Sequence, residues 1–421
     1  MAVIELPVAG TVVNPEDGDT VISPAGSVWS GSIFDTADFE DPISSATLIV
    51  QGDIIDDTPD GGTPEGILLG RYNPTTGIAT ERVAASIGAE ADLFLSEIYL
   101  SAETVRLNTA GNLIETDDGA LPYRPNVLEA FYVVLQGDTI TFANSGKIEA
   151  QGSGVQMRGD VLSGVNLGTI DSQRNTLLLS GEDITFVNRG TIRSSHDSEA
   201  TVVIGGRGTA SFVNFGVIEG DVGTFRTEAR VVNSGSIDGN LVFDNGFRDI
   251  PSLYFGQNGK VSGVVDLQGG HDRAMGGAVR DTFLGGEGDD LLFGAGGDDS
   301  LNGGDGNDTL RGGMGDDDFI AGDDDDFLSG GQGNDNIIPG LGDDTIRVQL
   351  INDDDIIFGF RFGNNVLDFT DYSVTAQQVL DATGPAPNGL ARIDLSELGG
   401  SGSLLITDFQ PEDLTVDHIL V

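Results

Sequence analysis

Residues 276–347 consist of eight consecutive nonapeptides, GGAVRDTFL, GGEGDDLLF, GAGGDDSLN, GGDGNDTLR, GGMGDDDFI, AGDDDDFLS, GGQGNDNII and PGLGDDTIR. They share the pattern G-G-x-G-x-D-x-U-x, in which U is an apolar residue. The sixth position is Asp in every unit: Asp281, Asp290, Asp299, Asp308, Asp317, Asp326, Asp335 and Asp344. The eighth position is apolar in every unit: Phe283, Leu292, Leu301, Leu310, Phe319, Leu328, Ile337 and Ile346. Asp272 lies one period earlier, in a degenerate ninth unit. A short fixed period of this kind predicts a solenoid.

The spacing of the units predicts their local structure. Each unit is expected to form a tight glycine turn followed by a very short strand whose apolar residue points inward. Two units complete one coil, so the aspartates of alternate units stack on one another in successive coils. An acidic, glycine-rich disordered linker is the alternative, and eight units in unbroken register argue against it.

The charge of this array, residues 276–347, requires counterions. It holds 18 acidic and 3 basic residues, a net charge of 3 − 18 = −15. Stacked carboxylates repel one another, and a hard divalent cation with oxygen ligands removes that repulsion. Ca²⁺ accepts a flexible shell of carboxylate and carbonyl oxygens, whereas Mg²⁺ prefers a small octahedron and keeps its waters. The array therefore predicts several bound Ca²⁺ ions.

The nonapeptides resemble those of the RTX (repeats-in-toxin) family of exported bacterial proteins. This resemblance implies a parallel β-roll with Ca²⁺ held between equivalent loops of neighbouring coils, and about six ions, three on each edge. One edge would use Asp281, Asp299, Asp317 and Asp335, and the other Asp290, Asp308, Asp326 and Asp344. The first and sixth units are the doubtful sites because of departures from the pattern. The departures are Val279, Ala295, Ala321, Asp324 and Pro339.

A second repeat, N-x-G-x-I, precedes the array. It recurs at 144–148, 166–170, 188–192, 214–218 and 233–237, with Asn spacings of 22, 22, 26 and 19. These spacings average near one coil of a parallel β-helix, and stacked Asn side chains can hydrogen-bond from coil to coil. The region resembles the β-helical passengers of secreted bacterial surface proteins, and a β-sandwich is the alternative.

The two ends of the chain give weaker signals. Residues 1–134 mix strand-like runs with Gly/Pro/Asp turns and are interpreted as all-β, either irregular coils or a cap. The tail, 348–421, contains a short helical candidate at 374–382 and resembles the caps and type I secretion signals that follow RTX arrays. The expected fold is all-β: residues 1–134, a β-helix-like segment at 135–266, the β-roll at 267–347 and a β-rich cap at 348–421.

Composition and motifs narrow the function. The 421 residues carry 68 Asp+Glu and 20 Lys+Arg, a net charge of −48, so nucleic acid and anionic membranes are poor partners. No apolar run is long enough for a membrane-spanning helix, and no N-terminal secretory signal peptide is expected. There is no cysteine, and the three histidines, His196, His271 and His418, form no H-E-x-x-H motif. No serine lies in a G-x-S-x-G motif. The one compact His/acid cluster, His196–Glu199, is interpreted as a solvated loop.

Two functions of different classes remain open. The first is a non-enzymatic, exported, calcium-binding structural or adhesive protein of the bacterial cell surface, whose partners are a second copy of itself or a surface glycan. The second is a carbohydrate-active β-helix enzyme, a lyase or epimerase. A cluster of carboxylates with Arg or His on one face of residues 130–265 would favour the enzyme, and a flat repetitive face would favour the structural protein.

Overall fold

The computed structural model describes residues 3–5, 20–23, 28–29, 45–50, 53–55, 67–69, 72–73, 78–79, 82–87, 89, 92–95, 98–102, 104–115, 131–195, 200–244, 250–351 and 353–421. The chain divides into two compact units, Met1–Thr227 and Glu228–Val421. In both, most of the described strands pair in parallel. The four-segment division expected from the sequence stays a prediction, and the cluster His196–Glu199 lies outside the described residues.

The first unit forms coils of two or three strands. In the coils between Phe131 and Ser172, two strands join one parallel sheet and the third joins a second parallel sheet. In the next two coils the single long strands Leu177–Asn188 and Val202–Asn214 take the place of the first two strands. Thr139 pairs with Val161, and Val161 with Asp183, so these two successive coils are equal in length. The strands are Val3–Glu5, Thr20–Ser23, Val28–Trp29, Ser45–Val50, Asp53–Ile55, Ile67–Leu69, Tyr72–Asn73, Ile78–Ala79, Arg82–Ile87, Asp92–Leu95, Ile98–Ser101, Thr104–Thr109, Asn112–Glu115, Phe131–Gln136, Thr139–Asn144, Lys147–Ala150, Ser153–Arg158, Val161–Asn166, Thr169–Ser172, Leu177–Asn188, Thr191–Ser194, Val202–Asn214, Val217–Glu219 and Val222–Phe225.

The described strands within residues 1–134 pair with the coils that follow them. Thr104–Thr109 pairs in parallel with Thr139–Asn144, and Asn112–Glu115 pairs with Lys147–Ala150. The described strands of this region therefore continue the register of the β-helical repeat.

The recurring Asn forms a buried ladder inside the first unit. The Nδ2 of Asn144 donates to Oδ1 of Asn166 at 2.8 Å, Asn166 donates to Asn188 at 2.9 Å, and Asn188 donates to Asn214 at 2.8 Å. All four residues are at most 1% exposed. The amide stacking predicted from N-x-G-x-I is thus confirmed, and it satisfies polar groups that would otherwise be costly to bury.

An aromatic column packs beside this ladder. Phe142, Gly164, Phe186 and Phe212 occupy one register position in four successive coils. The rings of Phe142 and Phe186 stack at 6.4 Å across Gly164, and those of Phe186 and Phe212 at 5.9 Å. A Cβ on Gly164 would lie 2.3 Å from the Phe186 ring, so the missing side chain at Gly164 is what permits the stacking.

The second unit contains the nonapeptides as two-stranded coils. Its strands are Glu228–Asn233, Ser236–Asp238, Leu241–Asp244, Leu253–Phe255, Lys260–Val261, Val265–Asp266, Arg273–Met275, Thr282–Glu287, Leu291–Gly296, Ser300–Asp305, Thr309–Met314, Asp318–Asp323, Phe327–Gln332, Asn336–Leu341, Thr345–Arg347, Asp353–Ile357, Val366–Asp368, Thr383–Pro385, Ala391–Asp394, Gly402–Ile406 and Ile419–Leu420. Thr282–Glu287 pairs with Ser300–Asp305, which lies two nonapeptides further along the chain. The parallel β-roll is therefore present.

The strands of the roll are longer than the sequence pattern predicted. Each of the full strands covers six residues, from position seven of one unit to position three of the next, and buries position eight and the following position one. Ser300–Asp305, for example, buries Leu301 and Gly303. A glycine at position one is thus a core position as well as part of the turn.

The tail forms a mixed cap on the roll. Asp353–Ile357 continues the parallel pairing from Asn336–Leu341, and Gly402–Ile406 adds to it. Ala391–Asp394 then pairs antiparallel with Gly402–Ile406. The helix Ala376–Asp381 lies within the expected 374–382 and begins with a capping box at Thr375. Three short 3-10 helices complete the cap: Leu395–Leu398, Pro411–Asp413 and Val416–His418.

Candidate metal centre

The eight aspartates of position six form two hydrogen-bonded ladders. In each ladder the backbone N–H of one Asp donates to Oδ1 of the equivalent Asp in the next coil. On the first edge these distances are 2.7 Å for Asp281–Asp299, 2.8 Å for Asp299–Asp317 and 2.9 Å for Asp317–Asp335. On the second edge they are 2.8, 2.8 and 3.1 Å for Asp290–Asp308, Asp308–Asp326 and Asp326–Asp344. The structure therefore places all eight residues on the two edges expected from two units per coil.

In seven of these eight residues the second carboxylate oxygen has no donor. All eight aspartates are at most 3% exposed. Oδ2 is buried without a hydrogen-bond partner in Asp290, Asp299, Asp308, Asp317, Asp326, Asp335 and Asp344. In Asp281 it accepts the backbone N–H of Gly277 at 3.0 Å. Because an unpaired buried carboxylate oxygen is costly, seven of the eight positions call for a positive ligand.

A backbone carbonyl faces each unpaired oxygen in several units. A Cβ placed on Gly294 would lie 2.2 Å from Asp299 Oδ2 and 2.9 Å from the carbonyl oxygen of Gly312. The corresponding distances at Gly303 are 2.2 Å to Asp308 Oδ2 and 2.5 Å to the carbonyl oxygen of Ala321. Two acceptors thus converge beside position one with no donor between them. A carboxylate next to a carbonyl is a donor set that suits Ca²⁺.

Burial raises the pKa of these carboxyl groups. Desolvation is the main cause in each case, and backbone hydrogen bonds partly oppose it. The pKa rises to about 8 for Asp290, Asp326 and Asp335, to about 7 for Asp299 and to about 6 for Asp308 and Asp317. The pKa values of Asp281 and Asp344 are also raised. Without a cation, the folded array therefore holds its carboxylates against a large desolvation penalty.

The departures from the pattern have different consequences. Ala321 and Pro339 occupy position one of the sixth and eighth units, yet Asp326 and Asp344 keep the same buried, unpaired Oδ2 as the regular units. Only Asp281 of the first unit differs, because Gly277 satisfies its second oxygen. Of the two units that the sequence pattern put in question, the sixth therefore offers the same unpaired Oδ2 as the regular units, and the first does not.

The ladders extend beyond the residues that the pattern identified. Asp272 N–H donates to Asp290 Oδ1 at 2.8 Å, which places the degenerate ninth unit in register. At the other end, Asp335 N–H donates to Asp355 Oδ1 at 3.0 Å, and Asp344 N–H donates to Asn365 Oδ1 at 2.7 Å. Sequence analysis missed Asp355 and Asn365 because they follow their partners at spacings that are not multiples of the nonapeptide period.

Two further, exposed ladders, one on each edge, run through position five in the opposite sense. The N–H of Asn307 donates to Asp289 Oδ1 at 2.9 Å, and the N–H of Asp316 donates to Asp298 Oδ1 at 3.1 Å, so each donor bonds to the preceding coil. Neighbouring turns are therefore tied in both directions, which explains why Asp or Asn fills position five in seven of the eight units.

Side chains alone do not form a complete metal shell. Among the described residues, no group of three or more His, Cys, Asp or Glu side chains converges around one point. A cation in the turns would therefore need backbone carbonyls as well as carboxylates, a mixture that Ca²⁺ accepts.

The fold and the site together define a parallel β-solenoid whose second unit carries a cation-binding β-roll. Four overlapping stretches, residues 268–301, 275–310, 293–328 and 311–346, match the family model of the RTX calcium-binding nonapeptide repeat. The chain is thus an RTX-repeat protein with β-helical coils, and its array is of a calcium-binding type. Neither the curated proteins nor the solved structures contain a match to the chain. In the described part of the chain, no helix is long and apolar enough to cross a membrane.

Proposed function

We propose that this protein is exported and acts as a calcium-dependent structural or adhesive component of the bacterial cell surface. The observation that carries the proposal is the pair of buried Asp ladders, in which seven Oδ2 atoms have no donor. Such a site is costly without cations and favourable with them, so folding of the array depends on the surrounding Ca²⁺ concentration.

Different atoms of the array have different roles in cation binding. Bound Ca²⁺ supplies the positive charge that the turns lack. In seven of the eight aspartates Oδ1 accepts the backbone N–H of the preceding coil, and Oδ2 stays free to bind a cation. In six units a glycine at position one keeps the space beside Oδ2 free of a side chain, whereas the sixth and eighth units carry Ala321 and Pro339 there. The turns are therefore arranged to bind cations between coils, and the cations in turn stabilise the stacking.

Low cytosolic Ca²⁺ would leave the array unfolded inside the cell, and external Ca²⁺ would fold it. This difference suits a chain that leaves the cell unfolded, with a recognition signal in the tail. The net charge of −48 keeps free chains apart until divalent cations bridge them. Self-assembly into a layer, filament or matrix follows from that bridging.

Electron microscopy tests the assembly. The purified chain is imaged in chelator and then in millimolar Ca²⁺, with Mg²⁺ at the same concentration as the control. Sheets or filaments that form with Ca²⁺ and not with Mg²⁺ are the expected result. Compact single particles in both cations would contradict self-assembly and direct attention to glycan binding.

A carbohydrate-active enzyme is the second candidate, because one face of the first unit carries a charged column. Glu149, Asp171, Arg193 and Glu219 stand at the same register position of four successive strands. Arg193 pairs with Asp171 at 2.5 Å, and its pKa is raised chiefly by the hydrogen bond to Asp171. This is the combination of carboxylates and Arg that would favour a lyase or epimerase.

Incubation with acidic polysaccharides tests this second candidate. Cleavage by a lyase produces an unsaturated sugar that absorbs in the ultraviolet, and epimerisation changes the sugar signals in proton NMR. Activity that disappears in Arg193→Ala and persists in the exposed control Arg158→Ala would support an enzyme. No change in any tested polysaccharide would favour the structural role.

A further inference from the structure

The tail brings two carboxylates to the last turn of the first edge. Asp353–Ile357 pairs in parallel with Asn336–Leu341, which follows the turn of the seventh nonapeptide. Asp353 Oδ2 accepts the N–H of Gly333 at 3.2 Å, and Asp355 Oδ1 accepts the N–H of Asp335 at 3.0 Å. Both contacts join residues that are further apart in sequence than two nonapeptides, so neither Asp353 nor Asp355 belongs to the repeat.

Two buried oxygens at this turn have no donor. They are Oδ2 of Asp335 and Oδ1 of Asp353. Asp335 is 0% exposed and Asp353 is 6% exposed. The charges of Asp353 and Asp355 both act on Asp335, so the carboxylates lie close enough to repel one another. Burial makes that repulsion stronger than it would be in water.

Two arginines of this end pair with other carboxylates, and no ion pair joins a described residue to Asp335 or Asp353. Arg347 pairs with Asp368 at 2.9 Å and with Asp371 at 3.4 Å. Arg361 pairs with Asp408 and Asp413, both at 3.5 Å. Within the described residues, the buried cluster of Asp335 and Asp353 thus lacks a protein cation to compensate it.

We propose that Asp335 and Asp353 form a terminal Ca²⁺ site at the junction of the array and the tail, with Asp355 as a positioning residue. The site rests on calcium binding by the array, and it differs from the repeat sites because one ligand comes from the tail. Asp335 supplies Oδ2 and Asp353 supplies Oδ1 as ligands. Asp355 positions Asp335, because its Oδ1 accepts the backbone N–H of Asp335. Backbone carbonyls and water complete the shell, as in the repeat turns.

This site ties the cap to the roll. Asp353 pairs with Gly402 at the start of the strand Gly402–Ile406, the strand that carries the antiparallel part of the cap. Removal of the cation leaves Asp335 and Asp353 uncompensated at the point where the tail strand joins the roll. Docking of the cap is therefore expected to depend on calcium, and this strand is expected to open first when calcium is withdrawn.

The test uses the full chain and the variant Asp353→Asn. The matched control is Asp354→Asn, which removes the same charge from the exposed neighbouring position and keeps an oxygen that can accept the Ser403 hydroxyl. Bound calcium per chain is counted by equilibrium dialysis and atomic absorption. Hydrogen exchange of peptides that cover 402–406 is followed in saturating Ca²⁺. We expect Asp353→Asn to bind one ion fewer and to exchange at least tenfold faster at 402–406, while Asp354→Asn matches the parent chain in both.

An equal ion count in Asp353→Asn and Asp354→Asn overturns the terminal site, and so does a loss of more than one ion in a folded Asp353→Asn chain. If Asp353→Asn does not fold, anomalous diffraction from crystals of the parent chain with Ca²⁺ decides. A peak beside Asp335 Oδ2 and Asp353 Oδ1 supports the site. Peaks along the repeat turns without one at this position overturn the terminal site alone, whereas no peaks anywhere also overturn calcium binding by the array.

Discussion

At the scale of single residues, the glycine at position one of the fourth nonapeptide is explained by neighbouring oxygen atoms rather than by backbone conformation. Gly303 has no positive φ, yet a Cβ there would lie 2.2 Å from Asp308 Oδ2 and 2.5 Å from the carbonyl oxygen of Ala321. A methyl group would therefore occupy the volume on which these two acceptors converge. Steric exclusion explains this glycine, whereas turn geometry explains those at positions two and four.

Gly303→Ala is accordingly expected to weaken calcium binding and to destabilise the calcium-bound chain by about 1–3 kcal/mol, the usual range for overpacking a filled site. Urea unfolding in saturating Ca²⁺ measures the loss. Gly384→Ala is the matched control, because a Cβ at Gly384 would contact nothing within 4 Å. Equal midpoints for the two variants would show that the space beside Asp308 Oδ2 is not a ligand site.

At position two, replacing Ala295 with glycine is expected to stabilise the chain, in contrast to the Gly303→Ala change at position one. The φ of Ala295 is 79°, in the left-handed region that glycine adopts at the same position of other units, for example 121° at Gly304. A non-glycine residue in this conformation destabilises the folded state by about 1–2 kcal/mol. Glycine avoids that strain, but the greater entropy of its unfolded state costs about 0.5–1 kcal/mol. Ala295→Gly is therefore expected to stabilise the chain by up to about 1 kcal/mol.

The midpoint of urea unfolding in Ca²⁺ checks this prediction. The control is Ala278→Gly, an exposed position-three residue whose φ is not positive. Ala278→Gly should be neutral or slightly destabilising. A decrease in stability for Ala295→Gly that equals the decrease for Ala278→Gly would mean that the left-handed conformation carries no strain at position 295.

At the scale of elements, the Asn ladder stabilises the stacking of coils in the first unit. Asn166 receives the amide of Asn144 and donates its own amide to Asn188. Asn166→Ala leaves Asn144 Nδ2 and Asn188 Oδ1 without these partners inside the core. Asn144 Nδ2 still donates to the Thr169 carbonyl oxygen, and Asn188 Oδ1 still accepts the Gly190 N–H. We therefore expect a total loss of about 1–3 kcal/mol.

Urea unfolding compares Asn166→Ala with Gln173→Ala, its control. Gln173 also bonds to the equivalent residue of a neighbouring coil, Gln151, at 2.8 Å, but on the exposed surface. Gln173→Ala should change stability by less than about 0.5 kcal/mol. A similarly small effect for Asn166→Ala would show that the coils depend on apolar packing alone.

The elements also show what sequence could and could not predict. N-x-G-x-I predicted the ladder because each coil places its Asn at the same corner. The wider spacing between Asn188 and Asn214 has a physical cause that the motif does not contain. Val155 pairs with Leu177, and Leu177 pairs with Val202, so the second of these two coils has the longer loop. A bulge between Gly181 and Asp183 lengthens that coil further. These extra residues increase the spacing between Asn188 and Asn214, but both Asn side chains stay at the same corner of their coils.

The sequence predicted the candidate metal site only where the nine-residue repeat holds. This strict repeat identified all eight aspartates of position six, since each unit repeats the same turn. The tail loses that period, so Asp353, Asp355 and Asn365 could be recognised only from their hydrogen bonds. The unpaired state of Oδ2 likewise depends on three-dimensional packing, which no spacing encodes.

At the scale of the whole molecule, buried acidity makes the calcium-free chain sensitive to pH. The ladder carboxyls have folded pKa values from about 6, as for Asp308, to about 8, as for Asp290, against about 3.9 in an unfolded chain. Because the folded state binds protons more tightly, protonation favours folding. This contribution is fully present below about pH 4 and is lost as pH rises through 6 to 8.

In chelator, the chain should therefore be more compact at pH 5 than at pH 8, and in saturating Ca²⁺ its size should not change over that range. Sedimentation velocity at low protein concentration measures both series. Repulsion within a chain of charge −48 acts in the same direction, so added NaCl provides the control: salt screens exposed charges strongly and buried ones much less. Compaction at pH 8 by 0.5 M NaCl alone would assign the effect to the surface charge. Compaction that needs low pH or Ca²⁺ would assign it to the buried ladders, where proton and cation neutralise the same oxygens.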